Sequence, residues 1–123
     1  MACSTNKFTI TKGTDNYFNF TIKADGSTLP MTIDGTDTFI ASLYPLDPSK
    51  PAAVIENKVL TVSDALSGRI ELLITAEETA ALEMDKGSKA DRYYSRPNYR
   101  LVIECNTVNN GNFIAKVPEV YVD

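Results

Sequence analysis

The chain has no histidine and only two cysteines among its 123 residues. Without histidine, the commonest general base and metal ligand is missing, so no serine or cysteine nucleophile can be paired with one and most hydrolytic mechanisms fall. Two cysteines with no histidine also make a zinc site unexpected. The six glycines are scattered singly among turns, which leaves no glycine-rich loop to cradle a phosphate. No apolar run is long enough to span a bilayer, and MACSTNKF lacks the basic region and apolar core of a signal peptide, so export by one is not expected. Internal repeats and low-complexity linkers are missing too. A net charge of −4 argues against nonspecific binding to nucleic acid or anionic membranes, both of which reward a basic surface.

What is present suits one domain spanning 1–123, with a short N-terminal arm over 1–6. The length is near the commonest domain size, so a core can form without disulfides or metal. Hydrophobic residues at 43% and charged residues at 23% exclude wholesale disorder. Cys3 lies in the polar N-terminal tail, whereas Cys105 continues the Tyr99, Leu101, Ile103 face of an expected strand. Such unlike settings read as two reduced thiols in a protein assembled in a cytoplasm, with Cys105 a small core residue.

The densest information lies in LTVSDALSGRIELLITAEETAAL, Leu60 to Leu82. Leu60, Thr61 and Val62 end one β-run, Asp64 and Gly68 supply turn chemistry, and Ile70, Leu72 and Ile74 alternate on one face of the next run. Thr75 then starts a short helix, about Thr75 to Met84. Its hydroxyl can cap the amide three residues on while Glu78 reaches back, which gives both residues structural roles. Gly87 and Ser88 end it soon after. The expected role is a crossover between two sheets, capping the core with Ala80, Leu82 and Met84.

Elsewhere the pattern is strands. Phe8 and Ile10 share a face over Lys7 to Thr11, Lys12 to Asp15 turns the chain, and Phe18, Phe20 and Ile22 share a face over Asn16 to Lys23. Ala24 to Ser27 is a turn, and Leu29 to Ile33, interrupted by Pro30, suits an edge. Thr38 to Tyr44 places Phe39, Ala41 and Leu43 on one face and Ile40 and Tyr44 on the other, as in a strand covered on both sides or facing a neighbouring subunit. Pro45, Pro48 and Pro51 predict a stiff loop. Val54 to Val62 fits either one strand or a small hairpin turning at Glu56 to Lys58. Tyr99, Leu101, Ile103 and Cys105 alternate with Arg100, Val102 and Glu104. Asn109-Asn110-Gly111 predicts a tight turn, and Phe113, Ala115 and Val117 return antiparallel. Pro118 places the last residues on an edge. These runs amount to about seven strands.

This block, a turn, a strand and then TAEETAAL ahead of a tyrosine-bearing strand, resembles the small immunoglobulin-like domains of tailed-bacteriophage virion proteins found in baseplates, collars and tail-fibre attachments. The likeness extends to an opening hairpin, Phe8 to Ile22, and a closing strand pair, Tyr99 to Val120. It implies an all-β immunoglobulin-like antiparallel sandwich with one short crossover helix. Tyr99 matches the tyrosine near the start of the penultimate strand, whose hydroxyl ties a loop to the sandwich. The resemblance also implies a non-catalytic structural or adaptor subunit of a virion, with other virion proteins or a ring of its own copies as partners and no cofactor.

Against that pattern, MDKGSKADRYYSRPNYR is an insertion. Lys86, Lys89, Arg92 and Arg96 interleave there with Tyr93 and Tyr94, residue types enriched at protein interfaces, which makes this loop the candidate contact site. A solvated loop is the plainer reading. Nucleic acid would also use basic and aromatic residues, but the acidic whole opposes it. A carbohydrate-binding module would use Tyr93 and Tyr94 as its platform, and is the alternative function. The paired acids Glu77/Glu78 and Asp34/Asp37 could in principle do glycosidase work. However, Glu77 and Glu78 point apart on a helix. Asp34 to Asp37 lacks the spaced acids and terminal glutamate of a calcium loop, so it reads as a surface turn. An enzyme is not expected.

Overall fold

The computed structural model describes residues 2–3, 7–23, 31–46, 49, 52–82, 97, 99–108 and 111–122. In chain order the elements are β1 (Ala2–Cys3), β2 (Lys7–Ile10), β3 (Asn16–Lys23), β4 (Thr38–Pro45) and β5 (Ile55–Val59). They continue with β6 (Thr61–Asp64), β7 (Arg69–Ile74), α1 (Ala76–Ala80), β8 (Tyr99–Thr107) and β9 (Gly111–Val122). The strands form a four-stranded sheet in the order β1-β3-β7-β6 and a five-stranded sheet in the order β2-β9-β8-β4-β5. Both sheets turn their apolar residues inward, which makes the protein an all-β sandwich.

Period-two alternation builds this core directly. Phe20 and Ile22 from β3 and Ile70, Leu72 and Ile74 from β7 are buried on one side. Phe39, Ala41 and Leu43 of β4, Leu101, Ile103 and Cys105 of β8, and Ala115 and Val117 of β9 face them from the other. Each large side chain buried this fully contributes about 1.5–3 kcal/mol over leaving it exposed. Cys105 is buried in this core, its Sγ 3.6 Å from the Ile103 carbonyl oxygen.

Several expected connections take a different course. Phe8 to Ile22 is not a hairpin: β2 pairs in parallel with β9, while β3 pairs antiparallel with β7. The Lys12 to Asp15 turn therefore carries the chain from one sheet to the other, and Phe8 meets Phe18 across the core with ring centroids 4.2 Å apart. Alternation reports which residues face the core and is silent on which strands pair. Between Val54 and Val62 there is neither one strand nor a hairpin. β5 pairs with β4 and β6 with β7, and the chain changes sheet at buried Leu60, whose amide donates to the Phe39 carbonyl at 2.9 Å.

Proline behaves more permissively than expected at two places. Pro45 ends β4, opposite Tyr99, instead of opening the loop. Pro118 does not push the last residues to an edge, because β9 runs on through it to Val122 between β8 and β2. The register between β8 and β9 slips between Tyr99 and Leu101, so the proline falls where a bulge removes the need for its missing N–H. Met31 and Ile33 are buried but form no strand; their amides donate to the Ile22 and Ala65 carbonyls at 2.8 Å each. Gly68 permits this close packing. Its φ is +63°, and a Cβ there would sit 2.5 Å from the Met31 carbonyl oxygen and 2.8 Å from that of Ile22.

Candidate functional site

The crossover helix α1 is five residues long and begins with a complete capping box. The Thr75 hydroxyl accepts from the Glu78 amide at 3.3 Å, and a Glu78 carboxylate oxygen accepts from the Thr75 amide at 3.1 Å and from its hydroxyl at 3.0 Å. The same oxygen takes a 2.7 Å salt bridge from Lys58 of β5. Burial pushes the Glu78 acid up. The Lys58 hydrogen bond, the Thr75 amide and hydroxyl, and the charge of Lys58 outweigh it and hold the carboxyl below its ordinary value. Glu78 thus holds the helix start through one carboxylate oxygen, and Glu77 is exposed.

The β2–β3 turn closes over the same helix. Asp15 accepts from the Ala76 amide at 2.6 Å, supplying a partner for a donor that the helix cannot satisfy itself. Thr79 is fully buried; its hydroxyl oxygen accepts from the Gly13 amide at 3.0 Å and its proton is shared between the Thr14 and Ala76 carbonyls, each at 3.1 Å. The inward positions are therefore Thr79 and Leu82, while Ala80 is exposed, contrary to its expected capping role. The α-helix ends at Ala80, short of the expected Met84, which lies outside the described residues. Sequence reading passed over Asp15 and Thr79, whose partners lie on a distant turn.

Tyr99 is buried at the start of β8, opposite Pro45 on β4 and Val120 on β9. Asp34 and Asp37 form a turn that faces its own backbone. Asp34 accepts from the Thr36 amide at 3.0 Å and hydroxyl at 2.9 Å, and these two bonds lower its acid below the ordinary range. Asp37, read as a surface residue, is buried and accepts from the Asp34 and Val108 amides at 2.9 Å each, tying this turn to the end of β8. Lys86, Lys89, Arg92, Tyr93, Tyr94 and Arg96 lie outside the described residues.

Among the described residues two open surfaces stand out. The first is the outer face of the five-stranded sheet, where register aligns Val59, Ile40, Glu104 and Ile114 in one row and Ser42, Val102 and Lys116 in the next. Val59 is 73% exposed and Ile114 55%, while Ile40 and Val102 are half-buried. Beside them the Arg100 guanidinium lies over the Tyr44 ring, 4.6 Å from its centroid. The second is a groove of about 340 Å³ where β5 passes the outer face of the four-stranded sheet, lined by Tyr17, Asn57, Lys58, Val59, Thr61, Glu71 and Leu73. β3–β7 pairing sets Tyr17 beside Leu73, and β6–β7 pairing sets Thr61 beside Glu71. The sequence signal for this groove, an aromatic residue on the outward phase of the Phe18-Phe20-Ile22 strand, was passed over.

Among the described residues no three potential metal ligands converge, and no helix is long and apolar enough to cross a membrane. No protein-family model and no curated protein matches the chain.

Proposed function

We propose that this protein is an immunoglobulin-like, non-catalytic structural or adaptor subunit of a tailed-phage virion that acts by docking to neighbouring subunits. The virion setting rests on the resemblance carried by Leu60 to Leu82 and the flanking strands. The strand order supports the immunoglobulin-like part of the reading: β1-β3-β7-β6 follows the A-B-E-D order, and β9-β8-β4 follows G-F-C with β5 added outside. The helix between β7 and β8 then falls at the E–F crossing, with Tyr99 at the start of the F-like strand. It departs from antibody-type domains in having no tryptophan.

The observation that carries the docking mechanism is the open face of the five-stranded sheet. Val59, Ile40, Val102 and Ile114 form an apolar centre, with Glu104, Lys116 and Arg100 among them to fix orientation by charge. Neighbouring virion subunits, including further copies of this chain in a ring, are the partners that reading calls for. Mass spectrometry of gradient-purified particles tests it. The chain is expected in intact virions, and its deletion is expected to leave incomplete or non-infectious particles. Recovery only from non-virion fractions, or complete infectious particles without it, would overturn the proposal.

A further inference from the structure

We infer that the groove between β5 and the outer face of the four-stranded sheet is a binding site for a neutral saccharide. Tyr17 is 60% exposed although it lies near the start of a paired strand, and Leu73 lies directly beside it. Together they present a flat apolar platform of the kind that the C–H face of a sugar ring covers. Around that platform stand groups that hydroxyls need. Among the described residues the Glu71 carboxylate makes no hydrogen bond or ion pair, and the Asn57 side-chain amide and the Thr61 hydroxyl are likewise unengaged. Carboxylate, amide and hydroxyl together offer acceptors and donors in both senses, which suits a ligand whose every polar group both gives and takes.

The backbone adds an independent sign. Asn57 has φ +55°, a left-handed conformation that non-glycine residues seldom adopt, at the place where the β4–β5 register slips. That bulge spends the Asn57 amide N–H on the Ser42 hydroxyl at 3.3 Å and brings the residue to the lip of the groove. The charge balance selects among sugars. Lys58 is paired with Glu78 at 2.7 Å and Glu71 has no ion pair among the described residues, so the two carboxylates outweigh the one lysine and oppose uronic acids and phosphorylated sugars. The site shares Val59 with the docking surface, but its other lining residues lie off that face, so it stands or falls separately from the virion reading.

The test is a two-dimensional amide NMR titration with cellobiose, maltose, chitobiose and glucuronic acid, each to about 10 mM, a range that resolves millimolar dissociation constants. At least one neutral disaccharide is expected to shift the amides of Asn57 to Thr61, Glu71 and Leu73, and glucuronic acid is expected to leave them in place. Tyr17→Ala should weaken that binding at least tenfold, and Glu71→Gln should weaken it while admitting glucuronic acid. If Tyr17→Ala does not fold, Glu71→Gln carries the same reading. Three results would overturn the inference: no shift with any neutral sugar, shifts that survive both substitutions, or shifts that appear without sugar as the protein is concentrated. The last would mean that a second copy occupies the groove.

Discussion

The crossover end and the groove sit on either side of Lys58, and they use the same kinds of residue to opposite ends. At the crossover, Thr75, Glu78, Thr79 and Asp15 each bond to a named partner, and no buried side-chain nitrogen or oxygen among the described residues lacks one. A short way along Lys58, the Glu71 carboxylate and Asn57 side chain face open space beside an exposed tyrosine. The difference lies in commitment. Polar groups at the crossover replace water with protein and so hold two sheets and a turn in place, whereas those in the groove keep their bonding capacity for something that arrives later.

Substitutions on the two sides should therefore separate stability from binding. The largest effect is expected for Thr79→Val, which keeps the shape of the buried side chain but takes the hydroxyl partner from the Gly13 amide and the Thr14 carbonyl. Losing the two bonds, each worth about 0.5–1.5 kcal/mol net, is expected to cost about 1–3 kcal/mol, readable in urea unfolding, with sugar binding unchanged. Next comes Thr75→Ala, which removes the helix cap and is expected to cost about 1 kcal/mol in the same assay. Lys58→Met probes the residue common to both sides. It leaves Glu78 without its ion pair, so a loss of about 0.5 kcal/mol is expected, together with a measurable change in the groove titration.

Acid offers a finer cut through the same comparison. The folded Glu78 acid lies below its ordinary value of 4.5, so its contribution to stability is fully present above that value and is lost as pH falls through the lower, folded one. Unfolding midpoints of the wild type should therefore drop in that acid window, and Glu78→Gln should flatten this part of the profile. An unchanged slope would show that Glu78 is not held as its partners imply. The smallest effect on stability belongs to Tyr17→Ala, expected within about 0.5 kcal/mol of wild type because the ring is exposed.

What the sequence made legible follows the reach of each signal. The Phe18-Phe20-Ile22 and Tyr99-to-Cys105 alternations and the Thr75/Glu78 box are complete within a few residues, so they can be read without knowing the fold. Pairing cannot. The Phe8 to Ile22 segment looks like a hairpin because adjacent alternating runs with a turn between them have the same pattern whether they pair or face each other. Leu60 is apolar in either sheet, so nothing local marks the point where the chain changes layers. The groove was hidden for the same reason, since Tyr17, Asn57 and Glu71 come together only through strand pairing and the path of β5. The basic tyrosine loop, where the sequence placed the contact site, lies outside the described residues, and the groove is a separate candidate.

The division between committed and open polar groups is tested most directly by one set of urea unfolding curves. Wild type, Thr79→Val and Tyr17→Ala would each be unfolded with and without the neutral disaccharide that binds best. At about ten times its dissociation constant the ligand should add about 1.4 kcal/mol to the wild type. Thr79→Val should start lower and gain the same increment, while Tyr17→Ala should start level with the wild type and gain almost nothing. If Tyr17→Ala starts as low as Thr79→Val, or if Thr79→Val loses the increment, the two regions are not separate and the account is wrong.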